Sequence, residues 1–495
     1  MMTLCVLLIG SAGYAREENS KDLAYQNYLS KQKELNQSFE QEFYRKLAEM
    51  YALDEAEYIK LVDSWRKKYT DLLADFQKEC PDADRAVLFR ESKDIQFSLD
   101  KLILDYPYYH ERYTGEKKAI HARLDVNRTE FDEPELLQID SFVEYLKAFL
   151  YYQSKIELGK ERYKALDNQR LNATLNLIPE YITNREVIDY LSFSYLNDHM
   201  ENFGVKNMGG VYEAFVADCR NPGYIDKIKM VYEKEIAGRA DHRVETYKTV
   251  GPYDLDIHLF LPAEDVAQKK HPVMVYFHGG SWSEGKPDWS FSACKKLAKN
   301  GWVGVAVEYR LAYRHGSLPF EAVMDAKSSV RWLRQHADEY HIDSDRIVAS
   351  GDSAGGHLVL ALALVEGWNE ETDDLAYSCV PDLLMVNSGV YDLTDEDSWV
   401  RKDLRDDQRD ENLVKEISPN CLFQKGLPPA LIIHGTSDRN VAFATANTFV
   451  DEMKRRGNNI EFHALEGAGH FIWFGKYAKQ VAEIRAGFLK KNGYP

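Results

Sequence analysis

The spacing of apolar residues changes once along this chain. From about Lys21 to about Ala240 they recur three or four positions apart. The stretch KDLAYQNYLSKQKELNQSFEQEFYRKLAEMYALDEAEYIKLVDSWRKKYTDLLADF (21–76) is poor in glycine and proline and predicts helix. PGYIDKIKMVYEKEI (222–236) does the same. Such helices have one apolar face and one highly charged face, the pattern of a packing or spacer domain. From about Val244 the period shortens. YDLDIHLFLP alternates like a half-exposed strand, and HPVMVYFHGG, GWVGVAVEYR, DRIVASGDS, PDLLMVNSGV and PPALIIHGTSD are apolar runs of strand length. Helical segments such as PFEAVMDAKSSVRWLRQHADEY separate them. Unbroken apolar strands alternating with helices predict a mostly parallel sheet covered on both faces, with functional residues at the carboxyl ends of the strands. The expected organisation is a helical N-terminal domain over 16–240 and an α/β catalytic domain over 241–495.

The chain has 495 residues, 44% hydrophobic and 29% charged, an ordinary globular balance too long for a single core. Its formal net charge of -18 argues against a nucleic-acid partner, because an acidic surface repels phosphate. The first fifteen residues, MMTLCVLLIGSAGYA, are uncharged and end in small residues before the polar Arg16-Glu17-Glu18-Asn19. This predicts a secretory signal peptide cut after Ala15, hence a secreted or periplasmic protein. No other apolar run is long enough to span a bilayer, so no membrane insertion is expected. Cleavage leaves Cys80, Cys219, Cys294, Cys379 and Cys421. The number is odd and no CxxC occurs, so neither a disulfide framework nor a zinc site is supported.

Candidate chemistry gathers at the strand ends. Gly351-Asp352-Ser353-Ala354-Gly355 lies between the strand RIVAS and the helix AGGHLVLALALVEG. A G-x-S-x-G sequence in that setting is a tight turn that pushes the serine hydroxyl out above the sheet. A serine needs an oriented base to act as a nucleophile. Asp438 lies just past the run ALIIH, and His470 lies in the Gly-rich loop of IEFHALEGAGHF. The order Ser353, Asp438, His470 is the order used by hydrolases built on such sheets. His434, His463 and His357 fit less well, since each falls within a strand or a buried helix. At another strand end, YFHGGSW (276–282) has small residues that let backbone N–H groups approach an oxyanion, together with the N–H of Ala354.

In combination HGGSW, VEYRLA, GDSAGGHL, HGTSD and GAGHF resemble the α/β-hydrolase superfamily. The likeness is to its esterase branch, related to hormone-sensitive lipase and to bacterial feruloyl and acetylxylan esterases. It runs from about Tyr247 to the C-terminus. It implies an α/β-hydrolase fold preceded by an all-helical domain, with Ser353 as nucleophile, Asp438 as orienting acid and His470 as base. Gly279, Gly280 and Ala354 would supply oxyanion N–H groups. No metal or other cofactor is implied. Ser281 stands where the lipase-like branch has a third glycine, and EYRLAYRHG replaces its usual stretch. Both departures favour the feruloyl or acetylxylan side. Ser281 and Trp282 are expected to touch substrate, Trp282 by stacking on a sugar. The charged connection between Asp392 and Pro419 is expected to rim an open cleft rather than line an acyl tunnel. The implied substrate is a small-molecule or carbohydrate ester. A serine exopeptidase of the prolyl-oligopeptidase type shares the hydrolase core but usually carries a β-propeller before it. A non-enzymatic binding protein on the same scaffold usually loses the serine or the histidine.

Overall fold

The structure, a computed structural model, describes residues 20–119, 121–164, 166–263, 269–395, 400, 401, 404 and 410–495. The expected signal peptide lies outside them, as do residues 396–399, 402, 403 and 405–409 of the charged connection.

The chain divides into two compact units. The first comprises residues up to Lys160, Ala173–Phe193 and Cys219–Asn221. Its long helices are Ser20–Glu42, Glu55–Glu79, Arg85–Thr114 and Asp140–Leu158. Asp54 and Asp84 start two of them by accepting hydrogen bonds from the Glu57 and Ala86 amides, and Gly115 at φ 78° ends one. The apolar faces meet through aromatic rings. Phe39 packs edge-on against Trp65 and stacks on Phe43, and Tyr58 lies 4.5 Å from Tyr106. These are the large residues whose three- and four-residue spacing predicts helix.

The second unit comprises Glu161–Asn172, Ser194–Asp218 and Pro222–Pro495. Its sheet has strands β1 (Arg243–Val250), β2 (Tyr253–Phe260), β3 (His271–Phe277), β4 (Val303–Val307), β5 (Ile342–Asp352), β6 (Leu383–Asn387), β7 (Ala430–Gly435) and β8 (Ile460–Leu465). Their order is β1-β2-β4-β3-β5-β6-β7-β8. β1 and β2 pair antiparallel, as do β2 and β4, and every later pairing is parallel. Strand alternation sorts the side chains into two cores. Val273, Val275, Phe277, Ala430 and Ile432 join one face with the helices Pro319–Gln335, Ala354–Leu364 and Phe443–Arg455. Met274, Leu431 and Ile433 join the other with Val481 and Phe488 of the helix Ala478–Lys491. β4, β6 and β7 are buried along their whole length, which is why they read as unbroken apolar runs.

The units do not divide at residue 240, where the sequence pattern changes. Segments 161–172, 194–218 and 222–240 belong with the sheet, and buried ion pairs hold them there. Arg314 bonds Asp167 through Nη2 at 2.7 Å and Glu308 through Nη1 at 2.5 Å. Lys206 meets Glu308 at 2.7 Å and Asp256 at 2.8 Å. Burial alone would raise the Glu308 pKa, but Arg314 and Lys206 hold it far below the usual carboxylate range. The change of period at 240 marks where the helices stop, not where the unit begins.

Candidate active site

Ser353 sits at the junction of β5 and the helix Ala354–Leu364 with φ 55° and ψ −119°. A side chain rarely adopts that backbone, at a cost of about 1–3 kcal/mol, and it persists only where the surroundings hold it. Here they do. The Ser353 amide donates to Asn387 O at 3.0 Å, while its carbonyl accepts from His357 and Val390 at 3.1 and 3.3 Å. Asn387, at the end of β6, also donates through Nδ2 to Asp352 Oδ1 at 2.7 Å. It therefore pins both the serine and its neighbour. The flanking glycines are required by space. A Cβ on Gly351 would lie 2.3 Å from the Gly355 backbone, and one on Gly355 would lie 2.0 Å from Phe277 O.

Asp438 and His470 come together as the sequence order predicts. His470 Nδ1 lies 2.8 Å from Asp438 Oδ2, and both side chains are buried. The Asn440 and Val441 amides donate to Oδ1 at 2.8 and 2.9 Å. Burial opposes ionisation of this carboxyl, but hydrogen bonds from His434, His470 and the Val441 amide outweigh it and hold the group well below the usual carboxylate range. The two loops are laced to each other. Ser437 N donates to Ala468 O at 2.9 Å, Gly467 N donates to Thr436 Oγ1 at 2.9 Å, and a Cβ on Gly435 would lie 2.3 Å from Ala468 O. His470 also acts electrostatically on Asp352, whose carboxyl is raised by burial and lowered less by Asn387, Arg485 and His470. His434, set aside on sequence as a strand-end residue, is in fact a second histidine on the acid, with Nε2 3.3 Å from Asp438 Oδ2.

The loop after β3 closes on the serine. A Cβ on Gly279 would lie 3.3 Å from Ser353 Cβ and 3.1 Å from Asp352 O. Gly280, Ser281 and Trp282 follow with φ of 102°, 55° and 56°, three left-handed residues in a row. Among the described residues, no backbone carbonyl takes the amides of Gly279, Gly280 or Ala354. These three N–H groups remain available to a developing negative charge beside Ser353.

Trp282 corrects an expectation. The left-handed backbone turns its ring inward, where it is 5% exposed in the main core and edge-on to His357 at 5.0 Å. It has no open face for a sugar. Ser281 stays partly exposed. The aromatic surface beside the base comes instead from the residues after His470. Phe471, 62% exposed, lies 5.2 Å from the imidazole, and Trp473 lies 5.9 Å from it. The run HFIWF is the signal that would have found them. Among the described residues no group of three or more His, Cys, Asp or Glu could hold a metal ion, and no helix is long and apolar enough to cross a membrane. Cys80, Cys219, Cys294 and Cys379 are buried and Cys421 is exposed, and no disulfide joins them among the described residues.

Residues 255–453 match the BD-FAE family model. The chain is 27% identical over 222 residues to the esterase LipC of Mycobacterium tuberculosis, covering 42% of this chain and 54% of that one. It is 26% identical over 230 residues to a probable isoprenylcysteine alpha-carbonyl methylesterase, ICMEL1, of Arabidopsis thaliana, covering 43% and 47%. The sheet unit carries an α/β-hydrolase domain of the esterase superfamily. The chain spans about half the length of the curated relatives it matches. Among solved structures, a thermophilic esterase from the planctomycete Thermogutta terrifontis is 33% identical, with a TM-score of 0.48, covering 52% of this chain and 94% of that one. The residues that match the family model all lie in the sheet unit. The helical first unit lies outside the family match.

Proposed function

We propose that the protein hydrolyses carboxylic esters through an acyl-enzyme on Ser353. The observation that carries this reading is the His470 imidazole, tied through Nδ1 to the buried Asp438 carboxylate and so left with Nε2 to take a proton. In the first step Ser353 Oγ bonds to the ester carbonyl carbon as its proton passes to His470. The amides of Gly279, Gly280 and Ala354 hold the oxyanion. Collapse breaks the bond to the alcohol, which leaves with the proton from His470. Water then adds to the acyl carbon as one of its protons passes to His470. The adduct collapses by breaking the bond to Ser353 Oγ, which takes that proton back from His470 as the acid leaves. Asp438 fixes the imidazole tautomer and stabilises its charged form in both steps.

The proposed substrates are acetyl or feruloyl esters of plant polysaccharides, met outside the cell if the first fifteen residues direct export. The BD-FAE match favours the feruloyl branch. Phe471 supports a bulky, flat alcohol or acyl group, because an exposed ring stands beside the group that protonates the leaving oxygen. The esterase reading is preferred to the prolyl-oligopeptidase alternative, because those enzymes usually carry a β-propeller before the core and the described residues before β1 are helical.

The test is a panel of acetylated xylan, methyl ferulate and p-nitrophenyl esters of two to sixteen carbons, with Ser353→Ala as control. The wild type is expected to prefer short acyl or hydroxycinnamoyl groups. Ser353→Ala is expected to fold and to lose several orders of magnitude in kcat/KM, of the order of 10⁵–10⁶. Residual turnover near the wild-type rate would refute the nucleophile, and kcat/KM that climbs beyond eight carbons would refute the substrate class.

A further inference from the structure

Resting on the oxyanion role just proposed, we infer that the helical segments ahead of the sheet brace the 278–285 loop in its working shape, and that Lys286 is the positioning residue that ties it. The loop needs such a tie. Its three consecutive left-handed residues would relax if released, and the amides of Gly279 and Gly280 would then turn away from Ser353.

On the sheet side the loop is fastened by Tyr309 Oη, which donates to His278 O at 2.8 Å. The Ala312 and Tyr313 amides also donate, to Trp282 O at 2.9 Å and Ser283 O at 3.1 Å. On the other side the partners come from the helical segments of the same unit. Gly285 N donates to Asn202 O at 2.9 Å. Lys286, 6% exposed, donates through Nζ to Met200 O at 3.1 Å and to Glu235 Oε1 at 2.8 Å. Arg239 Nη2 stands 3.9 Å from Asp288 Oδ1. Gly204 turns the chain beside Arg239 and Lys286 at φ 76°, a backbone that favours glycine.

The route to the site is short. A Cβ on Gly285 would lie 2.3 Å from His278 Nδ1 and 2.9 Å from Gly279 O, so the exit of the loop rests directly on its entry. Gly279 C=O and Gly280 N–H belong to one planar peptide. A shift of residues 285–286 therefore swings the Gly280 N–H. Met200, Asn202, Glu235 and Arg239 all precede the sheet, so a segment that reads as a spacer becomes part of the catalytic unit.

The full chain carrying Lys286→Met is compared with Lys286→Arg on p-nitrophenyl acetate. Oxyanion donors act in the transition state, so Lys286→Met is expected to lower kcat about 10–100-fold with KM within about twofold. Labelling by a fluorophosphonate slows in parallel, and Lys286→Arg recovers most of the rate. A folded Lys286→Met with wild-type kcat, or with raised KM and unchanged kcat, overturns the brace. If Lys286→Met does not fold, Glu235→Leu, which removes the acceptor from Lys286 Nζ, is expected to lower kcat with KM held. Wild-type kcat there overturns the proposal too. Failure of the parent reading looks different: Ser353→Ala would keep its turnover. Loss of activity in Ser353→Ala with no effect at Lys286 removes the brace alone.

Discussion

Asp438 spends both carboxylate oxygens on orientation: Oδ1 on two backbone amides, Oδ2 on two imidazoles. An amide in its place must turn its NH₂ toward either a backbone N–H or an imidazole N–H, both of which are donors. Asp438→Asn is therefore expected to leave His470 in the wrong tautomer and to lower kcat roughly 10⁴-fold with the fold intact. Asp451→Asn, exposed on the helix Phe443–Arg455, is expected to stay near the wild-type rate. Steady-state kinetics on one aryl acetate decides it, and equal losses at the two positions would mean that the wrong aspartate carries the role. Ser353, Asp438 and His470 were legible because each sits at the end of an apolar run and their order is fixed. Asn387 was not, because its contacts are with Asp352 and Ser353, 35 and 34 positions back along the chain, and nothing in MVNSG announces them. Trp282 was misread because a ring's direction follows from backbone torsions, and a left-handed Trp282 is invisible in the letters HGGSW.

Strands carry their own signature, helical braces do not. β3, β4, β6 and β7 are buried on both faces, so their composition states their place in the sheet. The segments Ser194–Asp218 and Pro222–Gly238 have the same kind of charged, three- and four-spaced pattern as the helices of the first unit, and only tertiary pairing reveals which unit they join. One carboxyl of this brace, Asp288, is pushed up toward neutrality, while its neighbour Glu235 is held, against the effect of burial, below its ordinary range by bonds from Asp288 and Lys286. Glu235 Oε2 and Asp288 Oδ1 are both buried, and neither accepts a hydrogen bond from a donor among the described residues. A single proton between the two carboxyls satisfies both. Burial first, then the bond to Glu235, push Asp288 up to about 7 against the opposing pull of Arg239 and Lys286. In the unfolded chain the same carboxyl loses its proton near pH 4. The folded state thus holds a proton that the unfolded state gives up, and stability from this group is full below about pH 4 and lost as pH rises through about 7. Asp288→Asn keeps a donor at every pH. Its melting temperature relative to the wild type is expected to rise between pH 5 and pH 8, measured by circular dichroism. A difference that does not change with pH would show that the pair shares no proton.

At the scale of the whole molecule, the acidic balance of -18 is that of the entire chain, yet the charges that matter most to its organisation are buried and paired within the sheet unit. Asp167 and Lys206 precede the sheet by dozens of residues and neutralise Arg314 and Glu308, which lie in the segment after β4. From the sequence pattern a chain beginning near Arg239 looks like a complete hydrolase with its three site residues intact. The buried ion pairs of the sheet unit argue against that expectation. Cutting there leaves Arg314 facing Glu308 with Asp167 gone, leaves Glu308 and Asp256 without Lys206, and strips Lys286 of Glu235 and Met200 O. Breaking one partner from a buried ion pair costs about 3–5 kcal/mol, and a domain has only about 5–15 kcal/mol to lose. Two or three such losses together match the whole margin. The truncated chain is therefore expected to be insoluble or to lack a cooperative melting transition, and to be inactive on p-nitrophenyl acetate. The full chain carrying Asp167→Asn, which removes a single partner, is expected to fold with a lowered melting temperature. Thermal melts and ester turnover on both chains decide the matter. A truncated chain that is soluble, melts cooperatively and turns over the ester at the wild-type rate would show that the hydrolase core stands without these ties.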